Sequence, residues 1–404
     1  MFKVTCGLSL VAAVISLVSP TPTVAQSGTR GGAVFVMTNN AEKNEIISYE
    51  RAANGLLSGG EHYDTEGRGS GGIGDPLEAQ GSLTLSQDHS LLFAANAGSG
   101  NISVFSVHHS SLILLNKAPS GGSQPVAVAE HQNLVYVLNS GGAGSVVGFT
   151  LDFGGQLKQI KDSTMFLTAT VTGGASLAFS PDGKFLVVTE RLANNIDVFN
   201  VEPNGTLSPI IVNHSPAPGA FSVSFAPEGN AIVSETGAPG ATNGAAISSY
   251  KITAKGALSP ISQSVPTFGA ANCWNVITPD GKFVYVSNAG SATISGFAIA
   301  SNGALTPIGK TVLGNNPEGA GNLDIAVSAD GKYIYTLNSA AGDIGVFGIR
   351  PENITCGHAC PDFGHPVTYA HVAVDPVHDE ISRKERGRRE RQTTQNALFH
   401  GIPS

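Results

Sequence analysis

Short apolar runs alternate with tight turns along most of this chain, and residues 176–207, SLAFSPDGKFLVVTERLANNIDVFNVEPNGTL, hold one complete cycle. Leu177-Ala178-Phe179 is a short apolar run. Ser180-Pro181-Asp182-Gly183 places Pro and Gly where a tight turn uses them. Phe185 to Thr189 is β-branched and apolar, as a buried strand requires. Asn194-Asn195 falls in the next connection, and Ile196 to Val201 alternates apolar and polar residues as a half-buried strand does. Pro203-Asn204-Gly205 turns the chain again, and Thr206-Leu207 is expected to open a fourth strand. Four such antiparallel strands make one small sheet with two wet faces and two open edges. It needs copies of itself on either side.

The copies are present. One polar residue ends the second apolar run of each cycle: Asn39, Asn96, Asn139, Glu190, Glu235, Asn288 and Asn338, at intervals of 43 to 57 residues. A repeat of this length with four strands per unit predicts an all-β fold, a seven-bladed β-propeller with four antiparallel strands per blade. A β-sandwich, the alternative, does not repeat a turn sequence at a fixed period. The first unit, Ala33 to Met37, reads as a second strand with no turn motif before it. Its inner strand is therefore expected from the C-terminal end, with Tyr369 to Val374 as the candidate, so that both ends of the chain close one propeller over residues 32–375.

Composition agrees. The 404 residues include 50 glycines and 22 prolines, and only 13% are charged. Many short strands and turns need that balance. The net charge of −8 excludes a general nucleic-acid surface. Lys3, the apolar run Val4 to Val18 and Thr23-Val24-Ala25 have the order of a secretory signal over residues 1–25, too short for a bilayer span. The expectation is a soluble monomer, secreted or periplasmic, with no membrane attachment after cleavage. The repeat breaks after Arg350. Cys356 and Cys360 in an exported chain are expected to form a small disulfide loop; zinc held with His358 and His365 is the sharper alternative. Residues 376–404, with the charged run 383–391, read as a disordered basic tail. The change of composition also fits an unrelated fusion or a reading-frame error.

In a propeller the first strand of each blade lines the central channel, and its entry opens on the same face as the exit of the second strand. The polar series is therefore expected on that face, joined by residues entering the inner strands: Gln80, Gln124, Phe221, Asn272, Cys273, Trp274 and Asn322. Two neighbouring blades carry Glu where the others carry Asn. Glu190, Glu235 and Arg191 are the candidate catalytic residues, with Asn96, Asn139, Asn272, Trp274, Asn288 and Asn338 as candidate substrate-binding residues. Such a set suits a polyhydroxylated or carboxylated small molecule. The structural alternative is that Asn at a strand end caps the following turn. Two close carboxylates would split into an acid and a base, and Glu190→Gln is then expected to remove activity with little effect on stability. The acidic residues of the SPDG-like turns, Asp88, Asp182, Glu228, Asp280 and Asp330, read as turn formers on the opposite face. The glycine-rich connection Glu61 to Gln80, with Tyr63, Arg68 and Asp75, is either a functional loop or a flexible spacer. No nucleophile elbow, P-loop or dinucleotide fingerprint is present, so no cofactor and no metal site are expected.

The repeats SPDGKFLVVTE and TPDGKFVYVSN, with the endings Asn204-Gly205-Thr206-Leu207 and Asn302-Gly303-Ala304-Leu305, resemble the lactonase family of seven-bladed propellers. Relatives there include bacterial 6-phosphogluconolactonases and fungal carboxymuconate cyclases. The segments around ASLAFSPDG, FSVSFAPEG and NCWNVITPDG resemble an exported bacterial branch, over roughly residues 33–349. The resemblance implies lactone ring opening, and Glu190 matches the Glu that follows the second strand in family enzymes. Those enzymes often carry an Arg-His pair before an SPDG turn; Thr172-Gly173-Gly174-Ala175-Ser176 carries neither. Two functions follow as expectations. One is an exported lactonase-type hydrolase acting on a small lactone or sugar-acid lactone. The other is a non-catalytic propeller that binds a protein, glycan or small ligand on the same face.

Overall fold

The computed structural model describes residues 30–72, 75–168, 173–317, 319 and 321–350, and the backbone of Asn353–Cys360 and His371–Asp375. The leader, the side chains of Cys356 and Cys360, His365 and the charged tail lie outside the described residues.

All regular structure among the described residues is strand, arranged as seven antiparallel sheets in sequence order around a ring. Each sheet is a blade. Blade four runs from an inner strand, Gly174–Phe179, through Phe185–Glu190 and Asn195–Asn200 to an outer strand, Ile211–His214. The expected fourth strand starts later than Thr206-Leu207. Leu207 makes only an isolated bridge to Val201, and Pro209, with no N–H to donate, breaks the ladder before Ile211. Blades three and six have the same irregularity, with outer strands split into Leu157–Gln159 and Met165–Phe166, and into Leu305–Pro307 and Gly314–Asn315.

Blade one joins the two ends of the ring. Its inner strand is His371–Asp375, paired antiparallel with Arg30–Met37, and Glu45–Ala52 and Leu57–Asp64 complete the sheet.

The unbroken apolar second strands follow from burial on both faces. In blade one, Ala33, Phe35 and Met37 pack into a cluster with Leu92 and Ala94 of blade two. The intervening Val34 and Val36 pack against Tyr335 and Leu337 of blade seven. Alternate side chains thus serve opposite neighbours, and each fully buried Val or Leu contributes roughly 2 kcal/mol. The turns on the lower face are built by their acidic residues. Asp182 Oδ1 accepts from Ser180 Oγ at 2.7 Å, and Asp280 Oδ1 accepts from Thr278 Oγ1 at 2.7 Å.

Candidate functional site

The connection between blades one and two positions the site. It packs first over the top of blades one and two. A Cβ on Gly67 would meet the Asn96 side chain at 2.2 Å, and one on Gly98 would meet the Gly69 carbonyl at 2.0 Å, so the glycines there are required by close approach. The chain then crosses the mouth of the central channel. Gln80 N donates to Ala175 O of blade four at 2.8 Å, and Val128 N of blade three donates to Gly81 O at 2.9 Å. On the far side, Trp274 Nε1 of blade six donates to Ala79 O at 3.1 Å. Leu77 and Ala79 are buried within this plug.

Beside the plug lies a pocket of about 440 Å³, lined by Asp75, Glu78, Arg191, Phe221, the segment Thr236 to Thr242, Ala270, Ala271, Cys273 and Gly290. It draws on blades four, five and six and opens on the face where second strands end. Arg191 follows the second strand of blade four, and its Nη2 donates to Glu78 Oε2. The Arg191 side chain is 23% exposed and that of Glu78 57%. Glu78 adopts φ +46°, in the left-handed region that a side chain enters at a cost of about 1 kcal/mol. Its N–H donates to Asp75 Oδ1 at 2.9 Å, which holds the turn. Burial, and then the negative charge of Asp75, pushes the Cys273 thiol well up, so it is an unreactive wall and not a thiolate nucleophile. Behind the pocket, Phe221 and Trp274 stack edge to face with centroids 5.3 Å apart.

Of the residues that the sequence singles out, Arg191, Phe221, Cys273 and Asp75 line this pocket. Glu190, Glu235 and the candidate substrate-binding residues Asn96, Asn139, Asn272, Trp274, Asn288 and Asn338 are buried inside the blades. Glu190 sits directly across the ladder from Asn195, as Asn96 does from Asn101, Asn288 from Thr293 and Asn338 from Asp343. Each end residue turns toward that partner. Glu190 accepts from Thr168 N at 2.8 Å, from Thr168 Oγ1, and from Asn195 Nδ2 at 3.1 Å. Asn96 donates to Asn101 Oδ1 at 2.7 Å and Ser103 Oγ at 2.9 Å, and accepts from Asn44 Nδ2 at 2.8 Å. Asn288 donates to Thr293 and Ser295, Asn338 to Asp343, Asn139 to Ser120 O and Asn272 to Ala246 O. Glu235 takes Ser215 and Ser248 as donors, in a knot of its own within blade five. The expectation that Glu190 and Glu235 share a pocket is therefore corrected. Asp197 is the carboxyl beside Glu190. Burial and the Glu190 charge push it up to about 9, so it keeps its proton at neutral pH.

Sequence reasoning missed Glu78. Its signal is the long connection Glu61 to Gln80, whose length marks a functional loop without singling out Glu78. The pairing of the polar strand ends with a polar residue five positions on, visible in four blades, was the sign that those ends are internal.

The sequence profile of the family described as "Lactonase, 7-bladed beta-propeller" matches residues 143–266 and 275–355, just over half of the chain. No protein of curated function matches the sequence. Among solved structures, a candidate 6-phosphogluconolactonase of Bacteroides uniformis superposes with a TM-score of 0.65 at 20% identity, covering 85% of this chain and 99% of its own. A second, from Bacteroides fragilis, gives 0.63 at 18% identity, covering 86% and 99%. A periplasmic gluconolactonase of Pseudomonas aeruginosa gives 0.65 at 17% identity, again covering 86% and 99%. At these identities the structural likeness establishes the fold alone. The sequence profile goes further, and on it the chain belongs to the lactonase family of seven-bladed β-propellers.

Proposed function

We propose that this chain hydrolyses a small lactone in the pocket beside the channel plug. The observation that carries the reading is the Arg191–Glu78 pair, a cation and a carboxylate held at the wall of a 440 Å³ pocket in a lactonase-family propeller. Ring opening needs a base that takes a proton from water as it attacks the carbonyl carbon, and a donor for the oxyanion that forms on the carbonyl oxygen. Glu78 is placed to act as the base. Arg191 is placed to stabilise the oxyanion. The proton that Glu78 takes from water passes to the ring oxygen as it leaves, which becomes a hydroxyl, and the product acid ionises. Asp75 sets the turn that aims Glu78.

Export and a monomeric state belong to the same proposal. The leader-like order of residues 1–25 supports export, as does the periplasmic name of the Pseudomonas neighbour. A second reading, a propeller that binds without catalysis, is favoured by the burial of both Glu190 and Glu235. Proton release by purified protein over a panel of lactones separates the two. Acid production that falls in Glu78→Gln and in Arg191→Ala supports hydrolysis, and none with any lactone refutes it.

A further inference from the structure

We propose that the pocket selects a neutral, polyhydroxylated lactone and rejects phosphorylated ones. The proposal takes its chemistry from the hydrolase reading above, whereas its charge argument is independent. Asp75 and Glu78 bring two carboxyl groups to the wall, and Arg191 is the only cation among the described lining residues. That cation is already engaged by Glu78. The upward push on the Cys273 thiol has the same origin: after burial, Asp75 raises it more than Arg191 lowers it, and Glu78 adds to the rise. A phosphate dianion entering here would compete with Glu78 for Arg191 and stand near the Asp75 and Glu78 carboxyl groups. Like charges so placed repel, and the exposure of Glu78 tempers the repulsion without removing it. The chain-wide charge of −8 opposes the approach of an anion as well. Hydroxyl groups meet no such penalty, because each can donate to a carboxylate and accept from Thr236 or Arg191. The volume of 440 Å³ lies in the range that takes one small molecule.

The test reads binding and hydrolysis on the same protein. Trp274 is the only tryptophan and touches the pocket wall through Phe221, so its fluorescence reports occupancy. The probes are sorbitol and sorbitol 6-phosphate, which cannot be hydrolysed, and glucono-1,5-lactone and its 6-phosphate, which can. The neutral member of each pair is expected to bind at least about tenfold tighter. The preference should shrink about tenfold in Asp75→Asn with Glu78→Gln, and in part in Asp75→Asn alone, which keeps the acceptor for the Glu78 N–H. Phosphate esters that bind as well as or better than the neutral compounds overturn the proposal. So do binding of neither class and a preference unchanged in both variants. Neutral lactone that binds without acid release refutes the hydrolase reading and leaves the selection intact. Faster hydrolysis of the phosphate ester does the reverse.

Discussion

Gln80 and Asn275 clasp each other across the ring: Gln80 Nε2 donates to Asn275 O at 3.0 Å, and Asn275 N donates to Gln80 Oε1 at 3.1 Å. One side chain thus substitutes for a backbone ladder partner, and it anchors the connection between blades one and two on the inner strand of blade six. Glu78 lies two residues upstream. The position of the candidate base therefore depends on a hydrogen-bonded plug inside the channel and not on a blade of its own.

Gln80→Ala removes both bonds and leaves Asn275 N without that partner. A loss of about 1–3 kcal/mol is expected from the denaturant midpoint. Catalysis should fall mainly in kcat, because the pocket wall remains and the base is displaced. Unchanged stability and unchanged kcat would show that the plug is held by other contacts.

Glu190→Gln tests what the buried glutamate does. Both carboxylate oxygens accept hydrogen bonds, from Thr168 N, Thr168 Oγ1 and Asn195 Nδ2. An amide puts a donor against one of them, so a loss of about 1–2 kcal/mol is expected. Lactone hydrolysis per folded molecule should persist. This reverses the expectation from sequence, under which the change spares stability and removes activity.

The seven repeated polar strand ends, with the turn motif recurring in five blades, made the fold legible, and the absent turn before Ala33 announced the closing strand from the C-terminal end. The site was less legible for a physical reason. Whether the last residue of a second strand faces the channel or the third strand is decided by register, and Glu190 opposite Asn195 faces inward. Glu78 carries no motif at all. Its role arises from a chain that crosses the channel and binds Ala175, Trp274 and Asn275, contacts that no local pattern encodes.

Stability should fall as pH rises toward 9. Asp197 is raised to about 9 in the folded state by burial and by Glu190, so the folded chain holds a proton that the unfolded chain gives up above about pH 4. Burial raises Glu235 too, which gives the same sign. Asp197→Asn should flatten the slope in part and stabilise the protein at pH 8 by ~1–3 kcal/mol, because an amide can donate to Glu190 at any pH. Urea melts at pH 5, 6.5 and 8 check this. A wild-type protein more stable at pH 8 than at pH 5 would contradict it.

Blade one and blade seven also meet through Arg51, only 4% exposed, whose Nη1 lies 3.5 Å from Asp330 Oδ2. Asp330→Asn keeps the acceptor for the Ser328 and Lys332 turn bonds and leaves Arg51 without its carboxylate partner. A loss of about 1–2 kcal/mol is expected, reduced from the fully buried case because Asp330 is partly wet. Asp280→Asn, the same change in the blade-six turn beside exposed Lys282, should stay within about 0.5 kcal/mol. Equal effects on the thermal midpoint would show that the Arg51–Asp330 contact adds nothing to the closure of the ring.

Whether Glu78 opens the lactone is read from acid release by the wild-type protein, Glu78→Gln and Glu190→Gln on glucono-1,5-lactone, corrected for spontaneous opening. Turnover by the wild type, a fall of at least about 100-fold in Glu78→Gln, and near-normal turnover by folded Glu190→Gln are expected. No turnover by the wild type, or full activity in Glu78→Gln, would contradict that role of Glu78.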